Sequence, residues 1–451
     1  MLNAELLSRY GTVPVPRYTS YPSANLWEPQ GDAFAREVFG RAGTRPLSLY
    51  VHVPFCKRLC FYCGCNMLVT QRQALGERYL AALEVEVARV AGLLKSAPTV
   101  VQVHLGGGTP TWLDVDQLTR LTQTLQRHLP FSREIEASIE VHPPVTSFEQ
   151  VRALARLGFN RISMGVQDFD PQVQQRVNRP QPFGQTQELI GCARAEGMKS
   201  VNVDLMYGLP LQTAERFATT LDLVEQLRPD RIALFGYAHL PDLKKHQRAI
   251  DPAELPGPSE RLKILELAID RLLASGYKSI GLDHFALAED ELCIAREQGT
   301  LRRNFMGYTT CAQSDVISFG PSSISEVDGC FVQNAHEVHD WASRVERGLL
   351  PAVRGWRSSA DDDLRRELIM ALFCQLQIDT EAFGCAHHLN FQHTFAPELR
   401  ALEPLEQDGL VSWKGRTLQI TAMGQLLLRN VAAVFDARLP QQGFRRHAPS
   451  V

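Results

Sequence analysis

The chain has 451 residues, of which 44% are hydrophobic and 22% charged, the ordinary composition of a globular protein large enough for two or three domains. Its formal charge of −3 gives no general attraction to nucleic acid or to an acidic membrane surface. We find neither the regions of a signal peptide nor an apolar run near the ~18 residues of a membrane span. We therefore expect a cytoplasmic protein with no membrane span and no nucleic-acid partner.

Residues 1–45 open with PRYTSYP (residues 16–22), which is too rich in Pro, Ser and Tyr for a regular element. From about 46 to 285, short β-branched or apolar runs alternate with segments whose apolar residues recur at helical spacing. The runs are LSLYVHVP, VVQVHLGGG, IEASIEVHP, NRISMGVQDF, KSVNVDLMYGLP and RIALFGYAH, and the later YKSIGLDHFA predicts a further strand. This alternation predicts an α/β fold in which parallel strands form a barrel or partial barrel.

The unusual residues of the chain follow these runs. A group of cysteines, a triple glycine, EVHP, GVQDF and DLMYGLP all come where a predicted strand ends. In a parallel barrel the site lies at the carboxyl ends of the strands. We therefore predict a functional site at that edge of the sheet.

From about residue 355 the pattern changes. DDDLRRELIMALFCQL predicts a helix with an acidic first turn, and LEQDGLVSWKGRTLQITAMGQLLLRNVAAVF predicts the end of a helix, a hairpin and a helix, as in a winged helix. No strongly basic recognition helix stands out, so we do not expect DNA binding. The predicted domains are residues 1–45, 46–354 and 355–451.

Four cysteines lie within ten positions: Cys56, Cys60, Cys63 and Cys65. The first three have the spacing C-x3-C-x2-C on a loop after a strand, and thiolates are ligands of both zinc and iron–sulfur clusters. Structural zinc usually takes four ligands in paired C-x2-C units, of which this loop has one. Three thiolates would leave one iron of a four-iron cluster open. The spacing favours a cluster over zinc or a redox-active group of thiols.

The C-x3-C-x2-C spacing after the first strand resembles the signature of the radical S-adenosylmethionine (SAM) enzymes. Over nearly the whole chain, the ordered motifs resemble those of the oxygen-independent coproporphyrinogen III oxidases (dehydrogenases). They are PRYTSYP, LYVHVPFC, C-x3-C-x2-C-x-C, GGGTPTWL, SIEVHP, NRISMGVQDF, VNVDLMYGLP, YAHLP, GLDHFA and GYTT. The resemblance implies a radical SAM partial (β/α)6 TIM-like barrel. An N-terminal extension covering the active site and a mainly helical C-terminal domain would complete it.

The same resemblance implies an oxidoreductase of haem and porphyrin biosynthesis. A [4Fe–4S] cluster held by Cys56, Cys60 and Cys63 would cleave SAM and release a 5′-deoxyadenosyl radical. This radical would take a hydrogen atom from the β-carbon of a propionate, which then loses an electron and carbon dioxide. Two such reactions turn coproporphyrinogen III into protoporphyrinogen IX with two vinyl groups. Two bound SAM molecules, an electron-donor protein and a monomeric state are also implied.

The resemblance also assigns roles to individual residues. Cys65 would lie at the reaction site as a catalytic residue and not as a cluster ligand, although it could be a bystander thiol. From the sequence alone, the triple glycine would be a turn and Glu140 a solvated strand end. The residues that match SAM contacts of the family are Tyr50, Tyr62, Gly107, Gly108, Thr109, Glu140, Gln167, Arg179, Asp204, Ala238 and Ile324.

Three positions depart from the pattern of the family: Gly236 stands where an asparagine is common, Tyr62 where a phenylalanine is common, and Met306 differs as well. Met306 stands before GYTT where a glutamine is usual, and a thioether cannot make the hydrogen bonds of an amide at the second SAM site.

The alternatives to the oxidase are a haem chaperone-like paralogue, a related radical SAM methyltransferase or haem-opening enzyme, and a zinc-stabilised interaction protein. The haem chaperones generally lack the fourth cysteine and the PRYTSYP opening, so both features favour the oxidase.

Overall fold

The computed structural model describes residues 4–311 and 314–439. The strands in chain order are β1 (Glu28–Pro29), β2 (Leu47–Val53), β3 (Phe55–Cys56), β4 (Leu68–Val69), β5 (Val100–Gly107), β6 (Phe131–Val141), β7 (Arg161–Gln167), β8 (Ser200–Tyr207), β9 (Arg231–Gly236), β10 (Tyr277–Gly281), β11 (His284–Leu287), β12 (Arg302–Asn304), β13 (Gly307–Thr309), β14 (Asp315–Phe319), β15 (Ile324–Val327), β16 (Cys330–Asn334), β17 (Ala352–Arg357), β18 (Gln377–Asp379), β19 (Val411–Lys414) and β20 (Thr417–Ile420).

The α-helices alternate with many of these strands. In chain order they are α1 (Ala4–Gly11), α2 (Asp32–Phe39), α3 (Ala74–Ala91), α4 (Val115–His128), α5 (Phe148–Arg156), α6 (Pro171–Arg176), α7 (Phe183–Ala195), α8 (Ala214–Leu227), α9 (Pro258–Ala274), α10 (Glu291–Glu297), α11 (Val338–Glu346), α12 (Ala360–Gln375), α13 (Thr380–Ala386), α14 (Phe391–Thr394), α15 (Ala396–Gln407), α16 (Ala422–Leu426) and α17 (Leu428–Ala433). Among the described residues, no helix has both the length and the apolar character required to cross a membrane.

The chain folds as two compact units. The barrel unit comprises Glu28–Pro256 and Gln313–Arg357, and the second unit comprises Met1–Trp27, Gly257–Ala312 and Ser358–Val451. The predicted division into residues 1–45, 46–354 and 355–451, including a covering role for the first of these segments, stays a prediction.

The barrel unit is built on a sheet with the strand order β1-β17-β16-β15-β14-β2-β5-β6-β7-β8-β9. Strands β2, β5, β6, β7, β8 and β9 are parallel, follow one another in chain order and coincide with the six predicted runs. The predicted α/β architecture is therefore confirmed. A strand that was not predicted, β14, pairs in parallel with β2 and extends the sheet.

The two faces of this sheet differ in character. Val51, Leu105, Ile139, Ile162 and Val201 are paired in register across five strands, and each is at most 1% exposed. Such continuous apolar rows are typical of parallel strands that are covered by helices. Because side chains alternate along a strand, the neighbouring residues lie on the opposite face, and several of those are polar.

The second unit has its own apolar core, which includes Leu372, Phe395 and Leu418. Two tyrosines of PRYTSYP belong to this core: the ring of Tyr18 lies 5.9 Å from that of Phe373, and Tyr21 is fully buried. Burial of two aromatic rings explains how a segment without regular structure is held in place.

Two predictions for the second unit are refined by the structure. The run YKSIGLDHFA forms the antiparallel pair β10 and β11, because Leu282 has a positive φ of 46° and turns the chain. The predicted hairpin is β19 and β20, and β18 joins it in a small antiparallel sheet beside the helices.

Candidate active site

The cysteine-rich loop starts at β3, which pairs with β4 in a small parallel sheet. Cys56 ends β3, and its carbonyl accepts a hydrogen bond from the Thr70 N–H at 2.9 Å. Further along, the Cys63 N–H donates to the Cys60 carbonyl at 3.2 Å and closes a tight turn. The three predicted ligands therefore lie on one short loop with a defined backbone.

Two distant segments hold this loop through its backbone. Asn178 donates to the carbonyl of Leu59 at 2.8 Å, and the Phe61 N–H donates to the carbonyl of Val177 at 3.0 Å. On the other side, the His246 ring nitrogen lies 2.7 Å from the carbonyl oxygen of Cys63. The loop conformation thus depends on contacts that span more than a hundred residues of sequence.

The thiols of the loop have different surroundings. A hydrogen bond from Cys65 lowers the pKa of the Cys63 thiol to about 6. Burial of the thiol acts in the opposite direction, and the positive charges of Arg179 and His246 lower the pKa further. Burial raises the pKa of the Cys56 thiol to about 11, and its sulfur lies 3.6 Å from the Thr109 hydroxyl. Ligation to iron requires thiolates, and Cys63 is already stabilised in that form.

Arg179 is a cation in direct contact with one of these thiols. One terminal nitrogen, Nη1, donates to the sulfur of Cys60 at 3.4 Å, and the other, Nη2, donates to the Gly165 carbonyl at 2.6 Å. Within the described residues, no group of three or more His, Cys, Asp or Glu side chains is arranged to hold a single metal ion. Three thiols on one loop, one of them in contact with a guanidinium, are a donor set that suits a cluster of net negative charge.

The glycines at the end of β5 pack against the start of the cysteine loop. A Cβ atom on Gly107, which has a φ of +115°, would lie 2.7 Å from Cε1 of His52. A Cβ atom on Gly108 would lie 2.7 Å from the carbonyl oxygen of Phe55. The N–H groups of Gly108 and Thr109 donate to the carbonyls of Val53 and Phe55, both at 2.8 Å. Contacts within the chain therefore already require glycine here.

Glu140 lies near the end of β6 and belongs to a hydrogen-bonded network. Its carboxylate accepts from the Gly107 N–H at 3.0 Å and lies 3.2 Å from Nε2 of His104, whose Nδ1 is 2.6 Å from the Ser138 hydroxyl. Burial acts to raise the pKa of Glu140, but His104 and the Gly107 N–H outweigh it and the pKa is lowered. Glu140 is therefore an ionised and oriented carboxylate.

Asp204, on β8, is the second carboxylate at this edge. Burial, together with the negative charge of Glu140, raises its pKa to about 7. The side-chain amide of Asn202 donates a hydrogen bond to Asp204 at 2.8 Å and another to the hydroxyl of Ser163 at 2.9 Å. Two carboxylates that repel each other would be stabilised by a bound cation, and SAM carries both an ammonium and a sulfonium charge.

Several buried polar atoms at this edge have no hydrogen-bond partner among the described residues. They are Oε1 of Gln167, Nε of Arg179 and Nε2 of His142. Gln167 has a φ of +70°, a conformation that a residue other than glycine seldom adopts. Unsatisfied buried atoms and local strain are typical of a site that binds a ligand, so the residues present fit a bound polar molecule such as SAM.

The other predicted site residues also belong to the barrel unit. Tyr50 is on β2, and its ring is stacked on that of His104 with centroids 5.8 Å apart. Tyr62 is buried in the cysteine loop, and Ala238 follows β9. Ile324 begins β15, next to the carboxyl end of β14. All eleven predicted SAM contacts thus belong to the barrel unit, with Tyr50 at the middle of β2, while their contacts with SAM stay predictions.

Comparison with known proteins decides the family. The model of the radical SAM superfamily matches residues 50–224, and the model of the HemN C-terminal domain matches residues 358–427. Oxygen-independent coproporphyrinogen III oxidase of Escherichia coli strain K12 is 44% identical over 428 residues, which are 95% of this chain and 93% of that protein. The enzyme of the same name from Pseudomonas aeruginosa is 40% identical and covers 98% and 97%. The chain belongs to the oxygen-independent coproporphyrinogen III oxidase family.

The solved structure of coproporphyrinogen III oxidase (HemN) from Escherichia coli, described as a radical SAM enzyme, agrees with this membership. It superposes with a TM-score of 0.92 and 42% identity over 97% of this chain and 99% of that one. The chain is therefore an oxidoreductase with the radical SAM fold, and its cofactors are a [4Fe–4S] cluster and SAM.

The structure places four further residues at the site of this chain that the sequence analysis did not identify. His104 and Ser138 orient Glu140, Asn202 contacts Asp204, and His142 has a buried nitrogen without a partner. Burial and the charges of Arg179 and Arg58 lower the pKa of His142 to about 2, so its imidazole is neutral. Side-chain alternation could have identified His104 and Ser138, because they share a sheet face with Tyr50 and Glu140.

Proposed function

We propose that this chain carries out the oxidative decarboxylation of two propionate groups of coproporphyrinogen III and yields protoporphyrinogen IX for haem biosynthesis. The observation that supports this most strongly is the meeting of the three-thiol loop with Glu140 and Asp204 at one sheet edge. It occurs in a chain that is 44% identical over 95% of its length to an oxygen-independent coproporphyrinogen III oxidase.

The residues for the cofactors follow from this arrangement. Cys56, Cys60 and Cys63 would each bind one iron, and Gly107, Gly108, Thr109, Glu140, Gln167, Arg179 and Asp204 would lie against SAM. When bound, the cluster and SAM supply the 5′-deoxyadenosyl radical that takes a hydrogen atom from the β-carbon of a propionate.

The charged side chains of the site would orient the cofactor. Glu140 is ionised and held by His104, so its position is defined before a ligand binds. Asp204 gains a favourable interaction when a cation arrives, because its own charge is otherwise opposed by Glu140. Arg179 contacts Cys60 directly and offsets the negative charge of the thiolates.

Cys65 is exposed, and its thiol is hydrogen-bonded to Cys63. We propose that it acts at the reaction site and is not an iron ligand. The same proposal includes a tetrapyrrole substrate, a second SAM molecule, an electron-donor protein, a monomeric state and a cytoplasmic location.

The decisive experiment is anaerobic turnover of the reconstituted protein with SAM, dithionite and coproporphyrinogen III. Mass spectrometry would count 5′-deoxyadenosine and the mono- and divinyl products. We expect both products from the natural chain, neither from Cys60→Ala, and normal amounts from the control Cys192→Ala, which changes a cysteine of α7. Deoxyadenosine without vinyl product would contradict the proposed substrate. Absence of SAM cleavage together with tight haem binding would favour a haem chaperone.

A further inference from the structure

Two apolar side chains are exposed beside the cysteine loop. Leu68 and Val69 form β4 and are 39% and 42% exposed, although large apolar side chains are usually covered. Within the described residues β4 pairs with β3 and with no other strand. Exposed apolar side chains on a strand that lacks a second partner strand are a feature of surfaces that bind another protein.

Basic residues lie near this pair along the chain, since Lys57 and Arg58 follow Cys56, the partner of Val69, and Arg72 follows β4. Lys57, Arg58 and Arg72 are exposed, and residues 54–76 contain no aspartate or glutamate, although the chain as a whole carries a net negative charge. We call Lys57, Arg58, Leu68, Val69 and Arg72 the β4 surface. Exposed apolar side chains with basic residues nearby in the chain are complementary to a partner that carries apolar and acidic side chains.

The β4 surface is joined to a cluster ligand by short backbone contacts. Val69 lies opposite Cys56 in the register of β3 and β4, and the Thr70 N–H donates to the carbonyl of Cys56 at 2.9 Å. The Leu68 N–H donates to the carbonyl of Pro54 at 2.6 Å. Because electron transfer slows steeply with distance, a carrier docked here would have a short path to iron bound by Cys56.

We propose that the β4 surface docks the electron donor, a small acidic protein with a one-electron redox centre near its own surface. One electron passes from the reduced donor to the oxidised cluster, so the donor is oxidised as the cluster is reduced, and no bond is formed or broken in this step. Complexes of this kind are small and short-lived, and opposite charges accelerate their formation. This inference rests on the proposed function in one respect only, which is that the chain holds a cluster that must be reduced.

The test uses photoreduced flavodoxin as an acidic protein donor and dithionite as a small donor that needs no docking. Cluster reduction is followed by stopped-flow absorbance without tetrapyrrole. Arg72→Glu should slow reduction by flavodoxin about tenfold at low ionic strength and weaken its dependence on salt. Leu68→Ser should slow it at every ionic strength, because the apolar contact is not screened. Reduction by dithionite should be unchanged in both variants.

The matched control is Arg133→Glu, which makes the same charge change near the start of β6, at the opposite end of the strand from Glu140. Reduction by flavodoxin should be normal in this variant. Equal flavodoxin rates in Arg72→Glu, Leu68→Ser and the natural chain would overturn the proposal, as would an equal loss with dithionite and flavodoxin. A chain that is reduced normally but does not decarboxylate coproporphyrinogen III would contradict only the proposed function.

Discussion

Replacing Gly108 by alanine tests whether the glycines of β5 are needed for the geometry of the cysteine loop. The added Cβ would lie 2.7 Å from the carbonyl oxygen of Phe55 and 2.9 Å from the carbonyl carbon of Pro54. Both are backbone atoms of the two residues before Cys56, so no side-chain rotation can relieve the contact. The backbone of β3 would have to move by about 0.7 Å to restore an ordinary contact distance, and over-packing of this kind typically costs about 1–3 kcal/mol.

The expected result is a loss of stability by about 1–3 kcal/mol and a lower iron content after reconstitution, because Cys56 moves with β3. Denaturant unfolding of the apo protein measures the first effect, and iron per chain measures the second. The matched control is Gly64→Ala in the same loop, since a Cβ there would have no atom within 4 Å. If Gly108→Ala binds iron and unfolds as Gly64→Ala does, the packing argument is wrong and the role of Gly108 is confined to ligand contact.

Three further predictions concern the charges and thiols of the site. Removing the His104 side chain (His104→Ala) takes a hydrogen bond from the Glu140 carboxylate, and such bonds contribute about 1.5–3 kcal/mol. We therefore expect the Kd for SAM, measured by calorimetry, to rise at least tenfold. A change below twofold would show that Glu140 does not depend on His104. Asp204, with a pKa of about 7, is mostly protonated below this pH and ionised above it. The affinity for SAM should therefore rise between about pH 6 and pH 8, and this rise should be absent in Asp204→Asn. The same rise in that variant would assign the pH dependence to another group. Cys65→Ala should retain the iron content of the natural chain and SAM cleavage but lose vinyl product; loss of iron as large as in Cys63→Ala would instead make Cys65 a ligand.

Local patterns in the sequence were sufficient to predict the architecture of the barrel unit. The six apolar runs correspond to β2 and β5–β9, because buried parallel strands need continuous apolar segments and each run carries this signal within a few residues. The spacing of Cys56, Cys60 and Cys63 is equally local, since a short loop brings these side chains together whatever the rest of the chain does. The ordered motifs then indicated the family, which the comparisons confirmed.

What only the tertiary structure decided are the contacts between segments that are far apart in the chain. The guanidinium of Arg179 lies 3.4 Å from the sulfur of Cys60 although 119 positions separate them, and β14 joins β2 from the other end of the unit. Likewise, the raised pKa of Asp204 depends on its burial and on the charge of Glu140, which is two strands away. Such contacts depend on strand register and on the packing of whole elements, whereas a sequence pattern reflects only the neighbours along the chain. The sequence by itself therefore determined the fold class and the cluster loop, and the tertiary structure determined the charges and hydrogen bonds around them.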